Sequence, residues 1–341
     1  MSYRFAVIGC RHGHIRSFIK EMLDKGHTCA GIYDAEDWKL ARQCVELYNV
    51  PLVDHVEELL VPSVHIIGSS AVNNEKIDII EACERGGQHI VLDKPAVTDG
   101  DGLRRLEAVM ERGRIQIGLM LPKRFWGTMT ALKREIDAGA IGDIVHLYIT
   151  SPHKLLPATR DAWHFSKKRN GGVLIDLLIH DMDVLRWLTG KEIVMTQSVM
   201  SKTILPEYPD FYDTAAVQVM MDDGTTAQVH ADWHTPATNK DGRFSRIVIA
   251  GTEGYAEYGV VYDAKQGKNA TYARITRGDG DDPDGTFLKP DAETASAVSD
   301  FLDRVDGKQG LFTHVDILAA SRATIEADES AVIRNRFDFK H

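Results

Sequence analysis

The segment Gly171–Asp183 carries acidic and imidazole side chains at a spacing that suits proton transfer. Asp176 and His180 are four residues apart, so on a helix they lie one turn apart on the same face. At about 100° per residue, Asp183 falls in the same stripe, which is roughly 60° wide. Histidine has an unperturbed pKa of about 6.5, so an imidazole here could take and return a proton at neutral pH. The alternative is an amphipathic surface helix that carries these residues without chemistry.

A lysine at the end of a strand is the second candidate for chemistry. The sequence predicts a buried strand over 89–92, followed by Asp93, Lys94 and Pro95. Proline cannot continue a sheet ladder, so the strand ends here. Lys94 is then left at the carboxyl edge of a sheet, where open α/β folds bind their ligands. The alternative for Lys94 is a solvated surface charge.

A glycine-containing turn follows the first predicted strand and opens a helix. Backbone N–H groups and the helix dipole favour a pyrophosphate there, so Gly9, Arg11, His12 and Gly13 are candidate cofactor ligands. The turn departs from Gly-x-Gly-x-x-Gly, because Arg11 and His14 stand at the second and third glycine positions. The alternatives are an ordinary tight turn and a metal site at His12 and His14, for which the sequence suggests no further ligand nearby.

An acid at the end of the second predicted strand indicates which dinucleotide is preferred. Asp34 follows Gly9 by 25 residues, close to the spacing of an acid that binds the adenosine ribose hydroxyls. Residues 35–37 add two more acids, which would repel a 2′-phosphate. We therefore expect NAD rather than NADP. The alternative for Asp34 is a helix N-cap.

These motifs together resemble the Gfo/Idh/MocA oxidoreductases, the family of glucose–fructose oxidoreductase and inositol dehydrogenase. That family has Glu-Lys-Pro where this chain has Asp93–Pro95, and a Gly-Gly-x-x-x-Asp-x-x-x-His-x-x-Asp helix that Gly171–Asp183 matches throughout. The resemblance covers nearly the whole chain. Three further segments carry it: residues 118–142 around Arg124, the turn Gly251–Gly254 and the helix from His314 to Ala331.

The resemblance implies roles for the catalytic candidates. His180 would be the general acid/base, and Asp176 would bind the substrate hydroxyl or orient His180. Lys94 would supply positive charge beside the developing alkoxide and the nicotinamide ribose. The spacing of the residues shows only that the three could converge.

The resemblance also implies further cofactor contacts. Ser69 and Asn73 occupy the family's Thr-Pro-Asn position beside the riboses, and Asp93 belongs to the motif that carries Lys94. Lys76 stands where the family often has histidine, a departure whose consequence the sequence does not reveal.

The segment 151–165 is a candidate wall of the substrate site. It is rich in hydrogen-bonding and aromatic side chains and precedes the Gly-Gly helix. His153, Arg160 and Trp163 suit a polyol or sugar ring, which offers an apolar face and hydroxyl groups. Arg124 is expected to contribute from the crossover into the second domain. One alternative is a packed structural loop; another is a zinc site drawn from His153, His164, His180 and Asp183.

Composition limits the class of protein. With 341 residues the chain can form two domains with substantial cores. A net charge of −10 without a basic run argues against nucleic acid or an anionic membrane as partner. The four cysteines form no Cys-x-x-Cys pair, and no signal peptide or membrane span is evident. We therefore expect a cytoplasmic protein with reduced thiols.

Hydrophobic patterning predicts the architecture. Strands and helices alternate through 1–121, which favours an N-terminal Rossmann domain with a doubly wound parallel sheet. Strands dominate afterwards, so 122–341 is predicted to be an α+β substrate-binding and oligomerisation domain with a large mixed, mostly antiparallel sheet. The Gly- and Asp-rich stretch 265–289 is expected to be an exposed loop. Apolar residues on both faces of 215–221 predict that the sheet's open face joins a homodimer or homotetramer.

The sequence therefore predicts an NAD(P)-dependent dehydrogenase that acts on a secondary hydroxyl of a cyclic polyol, sugar or sugar derivative, with no metal. One alternative is a redox-neutral enzyme with tightly bound NAD, in which transient oxidation permits elimination or epimerisation. Another is a ligand-sensing regulator that uses this fold without chemistry.

Overall fold

The computed structural model describes residues 2–36, 38–239, 245–263, 265, 267–278, 284–293 and 295–338. The strands are β1 Arg4–Cys10, β2 Thr28–Tyr33, β3 Ile66–Ser70, β4 His89–Leu92, β5 Ile117–Leu119, β6 Ile144–Pro152, β7 Ile193–Lys202, β8 Thr214–Met221, β9 Thr226–Asp232, β10 Arg246–Gly251, β11 Gly254–Asp263, β12 Lys268–Arg277, β13 Thr286–Phe287 and β14 Val332–Asn335. The helices are α1 Ile15–Asp24, α2 Trp38–Tyr48, α3 Lys76–Gly86, α4 Gly100–Arg112, α5 Gly127–Asp137, α6 Lys167–Asn170, α7 Gly172–Thr189, α8 Ala297–Val305 and α9 His314–Glu329.

Two compact units divide the chain. The first unit comprises Met1–Leu121, Lys168–Gly171 and Ala295–Ser321. The second unit comprises Pro122–Lys167, Gly172–Thr294 and Arg322–His341.

The first unit is built on a parallel sheet of five strands in the order β2-β1-β3-β4-β5. Every neighbouring pair of strands in this sheet runs parallel. β1 and β3 are buried along almost their whole length, as expected for strands that are covered on both faces. The predicted doubly wound parallel sheet is confirmed.

Helix α8 packs into the core of the first unit although it follows strands β6–β13 of the second unit's large sheet in sequence. Val298, Phe301 and Leu302 join the apolar cluster that β1, α1 and β2 form. Phe301 is fully buried, and a Cβ added at Gly118 of β5 would lie 2.8 Å from its ring. The first unit therefore includes this late segment because the apolar face of α8 fills the space beside β5.

The second unit is built on a sheet of nine strands in the order β13-β12-β11-β10-β6-β9-β8-β7-β14. Two pairs, β6 with β9 and β7 with β14, run parallel, and the other pairs run antiparallel. The predicted mixed, mostly antiparallel sheet is confirmed. Helix α7 packs against β6, β8 and β9, and α5 packs against β11 and β12.

The expectation of an exposed loop over 265–289 is wrong. Strand β12 occupies much of this stretch and pairs with β11 from Gly254↔Arg277 to Asp263↔Lys268. Ala273 and Ile275 of β12 are buried in the core, so an alternating strand pattern lies between the Gly- and Asp-rich ends. Residues 279–283 of the predicted loop lie outside the described residues.

One face of the large sheet is left open by the helices of its own unit. In β6, Leu147 and Ile149 are buried, whereas the alternate residue Tyr148 is 50% exposed. Such alternation is typical of a sheet with one packed face and one uncovered face. The predicted open-faced sheet is therefore observed.

Helices that are long and apolar enough to cross a membrane do not occur among the described residues.

Candidate functional site

The carboxyl ends of β1 and β3 form the point of the first unit where the strand order reverses. Cys10 at the end of β1 is the register partner of Ser70 in β3. The Arg11 N–H donates to the Ser70 carbonyl at 2.9 Å, and the His12 N–H donates to the Ser70 hydroxyl at 3.3 Å. Open α/β sheets bind ligands in the crevice at such a switch point.

The loop after β1 brings its backbone unusually close to a neighbouring segment. Gly9 has φ +80°, and a Cβ there would lie 2.4 Å from the Cβ of Ala71. Only glycine therefore fits this position. The N-cap residue of α1, His14, makes no side-chain capping hydrogen bond. A glycine-opened loop that leads into a helix N-terminus without such a cap fits the pyrophosphate of a dinucleotide.

Asp34 organises the same loop from the end of β2. It is buried, and its carboxylate accepts hydrogen bonds from the Cys10 N–H at 2.6 Å and the Glu36 N–H at 3.1 Å. The Arg11 guanidinium lies 3.4 Å from the same carboxylate. Its contact with an adenosine ribose stays a prediction, and the adjacent acid Asp37 lies outside the described residues.

A buried carboxylate flanked by two imidazoles lies at the end of β4. The Nδ1 atoms of His12 and His14 each lie 2.9 Å from an oxygen of Asp93. Burial raises the pKa of the Asp93 carboxyl, but the charge of His12 and the hydrogen bonds from both histidines outweigh it and hold this pKa well below its usual range. The sequence suggests no further ligand next to His12 and His14, and the fold brings Asp93 to them from 79 residues beyond His14.

Lys76 is fully buried and holds the turn that carries Lys94. Its ammonium donates to the carbonyls of Asp93 at 2.7 Å, Lys94 at 3.2 Å and Pro95 at 3.1 Å. Oδ1 of Asn73 also lies 2.9 Å from the ammonium, so the three N–H groups are shared among four acceptors. Lys76, which stands where the resembled family often has histidine, is thus a buried cation that fixes the main chain on both sides of Lys94.

Ser69 and Asn73 are both buried in the first unit. The Ser69 hydroxyl accepts from the Ala71 N–H at 3.3 Å, and the Asn73 amide donates to the Asn170 carbonyl at 2.8 Å. These contacts shape the loop after β3, and direct contact of the two side chains with a cofactor stays a prediction.

Helix α7 presents the proton-transfer candidates of the second unit. It begins at Gly172, whose φ is +82°, and places Asp176 and His180 one turn apart. Asp176 is buried and His180 is half-buried. Asp183, in the same stripe, forms a buried two-point ion pair with Arg124, with Nε–Oδ2 at 3.0 Å and Nη2–Oδ1 at 2.5 Å. Asp183, at the C-terminal end of the stripe, therefore has a structural role. A contact of Arg124 with the substrate stays a prediction.

A second ion pair anchors α7. The Lys123 ammonium lies 2.5 Å from an oxygen of Asp181, which is fully buried. Sequence reasoning missed this pair. The sequence does contain two neighbouring basic residues just before α5 and two acids, two residues apart, on α7. Because these segments are far apart in sequence, their contact could not be predicted.

The segment 151–165 packs against Trp233, the residue that follows β9. Arg160 lies over the Trp233 ring at 4.6 Å, and the His153 ring meets the same indole edge to face at 5.6 Å. Trp163 is buried and stacks on His164 with ring centroids 3.7 Å apart. The segment is thus ordered around two indoles, one of them predicted to contact substrate.

The alternative zinc site of the second unit finds no support among the described residues. Among the residues that the structure describes, the one group of three or more metal-ligating side chains is His12, His14 and Asp93. It lies in the first unit and shares no residue with the set His153, His164, His180 and Asp183.

The strand order of the first unit, with a glycine-opened loop at its switch point, defines a Rossmann-like fold. Residues 129–257 of the second unit match the family model described as GFO/IDH/MocA C-terminal domain. This match confirms the resemblance to the Gfo/Idh/MocA oxidoreductases over residues 129–257, within the second unit.

Relatives with curated names align with part of the chain. Inositol 2-dehydrogenase 2 of Saccharopolyspora erythraea is 28% identical over 67% of this chain and 66% of its own length. A myo-inositol dehydrogenase of Streptomyces leeuwenhoekii is 26% identical over 74% of this chain and 76% of its own length. The chain thus covers about two thirds to three quarters of these relatives.

A solved structure shares the fold over almost the whole chain. Levoglucosan dehydrogenase in complex with NADH has a TM-score of 0.78 and covers 97% of both chains at 18% identity. This similarity supports the architecture of both units.

Proposed function

We propose that this chain is an NAD-dependent dehydrogenase that oxidises a secondary hydroxyl of a cyclic polyol, sugar or sugar derivative. The observation that carries the proposal is helix α7, which holds Asp176 and His180 one turn apart within the unit that matches the family model. The names of the two inositol dehydrogenase relatives support a cyclic polyol as the substrate class.

The first unit supplies the cofactor contacts in this proposal. Its glycine-opened loop after β1 and the N-terminus of α1 fit a pyrophosphate. Bound there, NAD supplies the hydride acceptor. The proposed cofactor residues are Gly9, Arg11, His12, Gly13, Asp34, Ser69, Asn73, Asp93 and Lys94.

Charge around Asp34 supports NAD over NADP. The Arg11 guanidinium could attract a 2′-phosphate, but it lies 3.4 Å from Asp34 and 3.6 Å from Glu36. A phosphate in this region would face two carboxylates, whereas ribose hydroxyls could donate to them. The NADH in the levoglucosan dehydrogenase complex is consistent with this choice.

Proton transfer is assigned to α7. His180 takes the hydroxyl proton as the hydride departs, and Asp176 binds the hydroxyl or orients the imidazole. Lys94 supplies positive charge to the developing alkoxide, and Lys76 fixes the main chain that carries it. Arg124, His153, Arg160 and Trp163 complete the proposed substrate contacts.

The decisive experiment incubates the purified chain with NAD and a panel of inositols, sugars and anhydrosugars. Absorbance of NADH and chromatography of the products are followed together, with the His180→Ala variant as control. Stoichiometric NADH and ketone that depend on His180 would support the proposal.

Two other outcomes would overturn it in favour of the rival functions. Isomerised or eliminated product without NADH would assign the redox-neutral reaction with retained cofactor. Ligand binding without turnover on any member of the panel would assign the sensing role.

A further inference from the structure

His12, His14 and Asp93 bring three donor groups together in the first unit, and two of them, His12 and Asp93, are also among the proposed cofactor residues. Each imidazole Nδ1 lies 2.9 Å from a different oxygen of the Asp93 carboxylate. The two rings meet edge to face with centroids 4.2 Å apart. One ligand atom from each of the three side chains lies within 4.8 Å of the other two.

The chemistry of this donor set selects a class of metal ion. Two imidazole nitrogens with one carboxylate form a three-ligand set that zinc accepts, with water in the fourth position. Calcium and magnesium prefer sites made of oxygen atoms, which two imidazoles do not provide. The cluster therefore fits a divalent transition metal better than an alkaline-earth ion.

The spacing of the donors leaves a small adjustment for ligation. Two ligands on a tetrahedral zinc ion, each about 2.0–2.1 Å from it, are about 3.3 Å apart. The present N–O separation of 2.9 Å is shorter for each histidine, so each nitrogen must move a few tenths of an ångström away from the carboxylate oxygen that it contacts. The histidines have room for this movement because their side chains are 31% and 50% exposed, whereas the Asp93 side chain is 3% exposed.

The surroundings of Asp93 both support and oppose a cation. Lys76 donates to the Asp93 carbonyl at 2.7 Å, which fixes the main chain of the buried ligand as outer-shell hydrogen bonds do in metal sites. The charge of Lys76 and the N-terminus of α1 both disfavour a dication. The carboxylate charge and three direct ligands act against that repulsion, so we expect moderate affinity.

We propose that His12, His14 and Asp93 form a binding site for a divalent transition-metal ion, with zinc as the best fit to the donor set. A filled site adds positive charge to the loop that leads into α1. In a dinucleotide-binding protein this charge strengthens the binding of the pyrophosphate. That consequence rests on the proposed function, whereas the metal site itself does not.

The test titrates zinc into chelator-treated protein by calorimetry and follows cobalt binding by visible absorption. We expect one zinc ion per chain, and a change of His14→Gln should weaken binding about tenfold or more. His14 is half exposed, so this variant should fold. The matched control is His230→Gln, which removes the histidine of a two-group pair, 2.9 Å from Asp232, in the second unit.

The outcomes are distinct. One zinc per chain that is lost in His14→Gln and kept in His230→Gln supports the site. Absence of stoichiometric zinc binding, or equal affinity in His14→Gln and wild type, overturns it and leaves a hydrogen-bonded triad. A fluorescence titration with NADH, with and without zinc, separates the two proposals: protein that binds zinc but no NADH contradicts the proposed function alone.

Discussion

At the scale of single residues, equal side-chain types in one helical stripe have different surroundings. Asp176 and Asp183 are both buried on α7, but Asp183 forms a two-point ion pair with Arg124. A carboxylate held by a guanidinium at two points is fixed in place. Asp183 therefore has a structural role, and the proton transfer that we propose for this helix is left to Asp176 and His180.

His180→Ala should reduce kcat by about 10²–10⁴-fold, because the substrate hydroxyl loses its proton acceptor. The dissociation constant of NADH should change little, since the role assigned to His180 concerns the proton and not the cofactor. Steady-state kinetics and a fluorescence titration would measure the two quantities. Normal turnover by the variant would contradict the assignment.

Asp34→Ala should weaken NAD binding and reduce discrimination against NADP. The change removes a partner of the ribose hydroxyls and a negative charge that would repel a 2′-phosphate. It also removes the acceptor of the Cys10 N–H at 2.6 Å, so a modest loss of stability is expected as well. The ratio of kcat/KM for NAD and NADP would measure the effect. A wild type that already prefers NADP would show this interpretation of Asp34 to be wrong.

Residue-scale prediction reached the candidates but not all their partners. Position and spacing indicated Lys94, Asp176 and His180 as candidates, and the family resemblance implied their roles. The partnership of His14 with Asp93 spans 79 residues of sequence and depends on two strand ends meeting at one sheet edge. Such contacts between distant residues leave no periodic signal in a single sequence.

At the scale of elements, a buried lysine holds the turn after β4. The ammonium of Lys76 satisfies three carbonyls of the Asp93–Pro95 turn, so Lys76→Met should leave them without a donor. Each buried unsatisfied group costs about 1–3 kcal/mol, and we expect a loss of about 3 kcal/mol or more. Urea unfolding would measure it. The control is Lys20→Met on the surface of α1, which should change the stability by less than about 0.5 kcal/mol; equal losses in both variants would contradict the role of Lys76.

The start of α9 makes stability depend on pH. His314 Nε2 accepts a hydrogen bond from the Ile117 N–H at 3.0 Å, so the ring must be neutral there. Burial, together with the charge of Arg304, lowers the pKa of His314 to about 4. The unfolded chain binds a proton at about pH 6.5, so this contribution is complete above that pH and is lost as pH falls towards 4, by about 3 kcal/mol in total.

The variant His314→Gln isolates this contribution, because glutamine can accept the hydrogen bond without titrating. Unfolding free energies of both proteins at pH 7.5 and pH 5 should show a steeper loss for the wild type. Parallel losses would mean that His314 does not carry the effect.

Strands and helices were predicted correctly where the hydrophobic pattern extends over a long stretch of sequence. The prediction failed where Gly and Asp residues flank a strand. The alternation of strands and helices in the first third gave the parallel sheet correctly. Strand β12 was missed because Gly and Asp flank it, although buried Ala273 and Ile275 carry the strand period. The contribution of α8 to the first unit could not be predicted, since its amphipathic pattern does not specify which core it covers.

At the scale of the whole molecule, the open face of the large sheet carries a row of uncharged side chains. Tyr148, Gln228, Gln218 and Gln197 are register partners across β6, β9, β8 and β7. The next row begins with Val199, which is 44% exposed. Interface centres are depleted of charge and enriched in tyrosine relative to other surfaces, and the row from Tyr148 to Gln197 has that composition.

We therefore expect self-association through this face, as a dimer or a tetramer. Light scattering at micromolar concentration should give a mass of at least twice the 38.0 kDa chain. Gln218→Arg places a charge in the middle of the row and should shift the mass towards the monomer, because an arginine buried there would lack a partner. Gln43→Arg on α2 of the first unit is the matched control and should keep the wild-type mass. A wild type that is monomeric under these conditions would refute the prediction. An unchanged mass in Gln218→Arg would indicate that the interface lies on another surface.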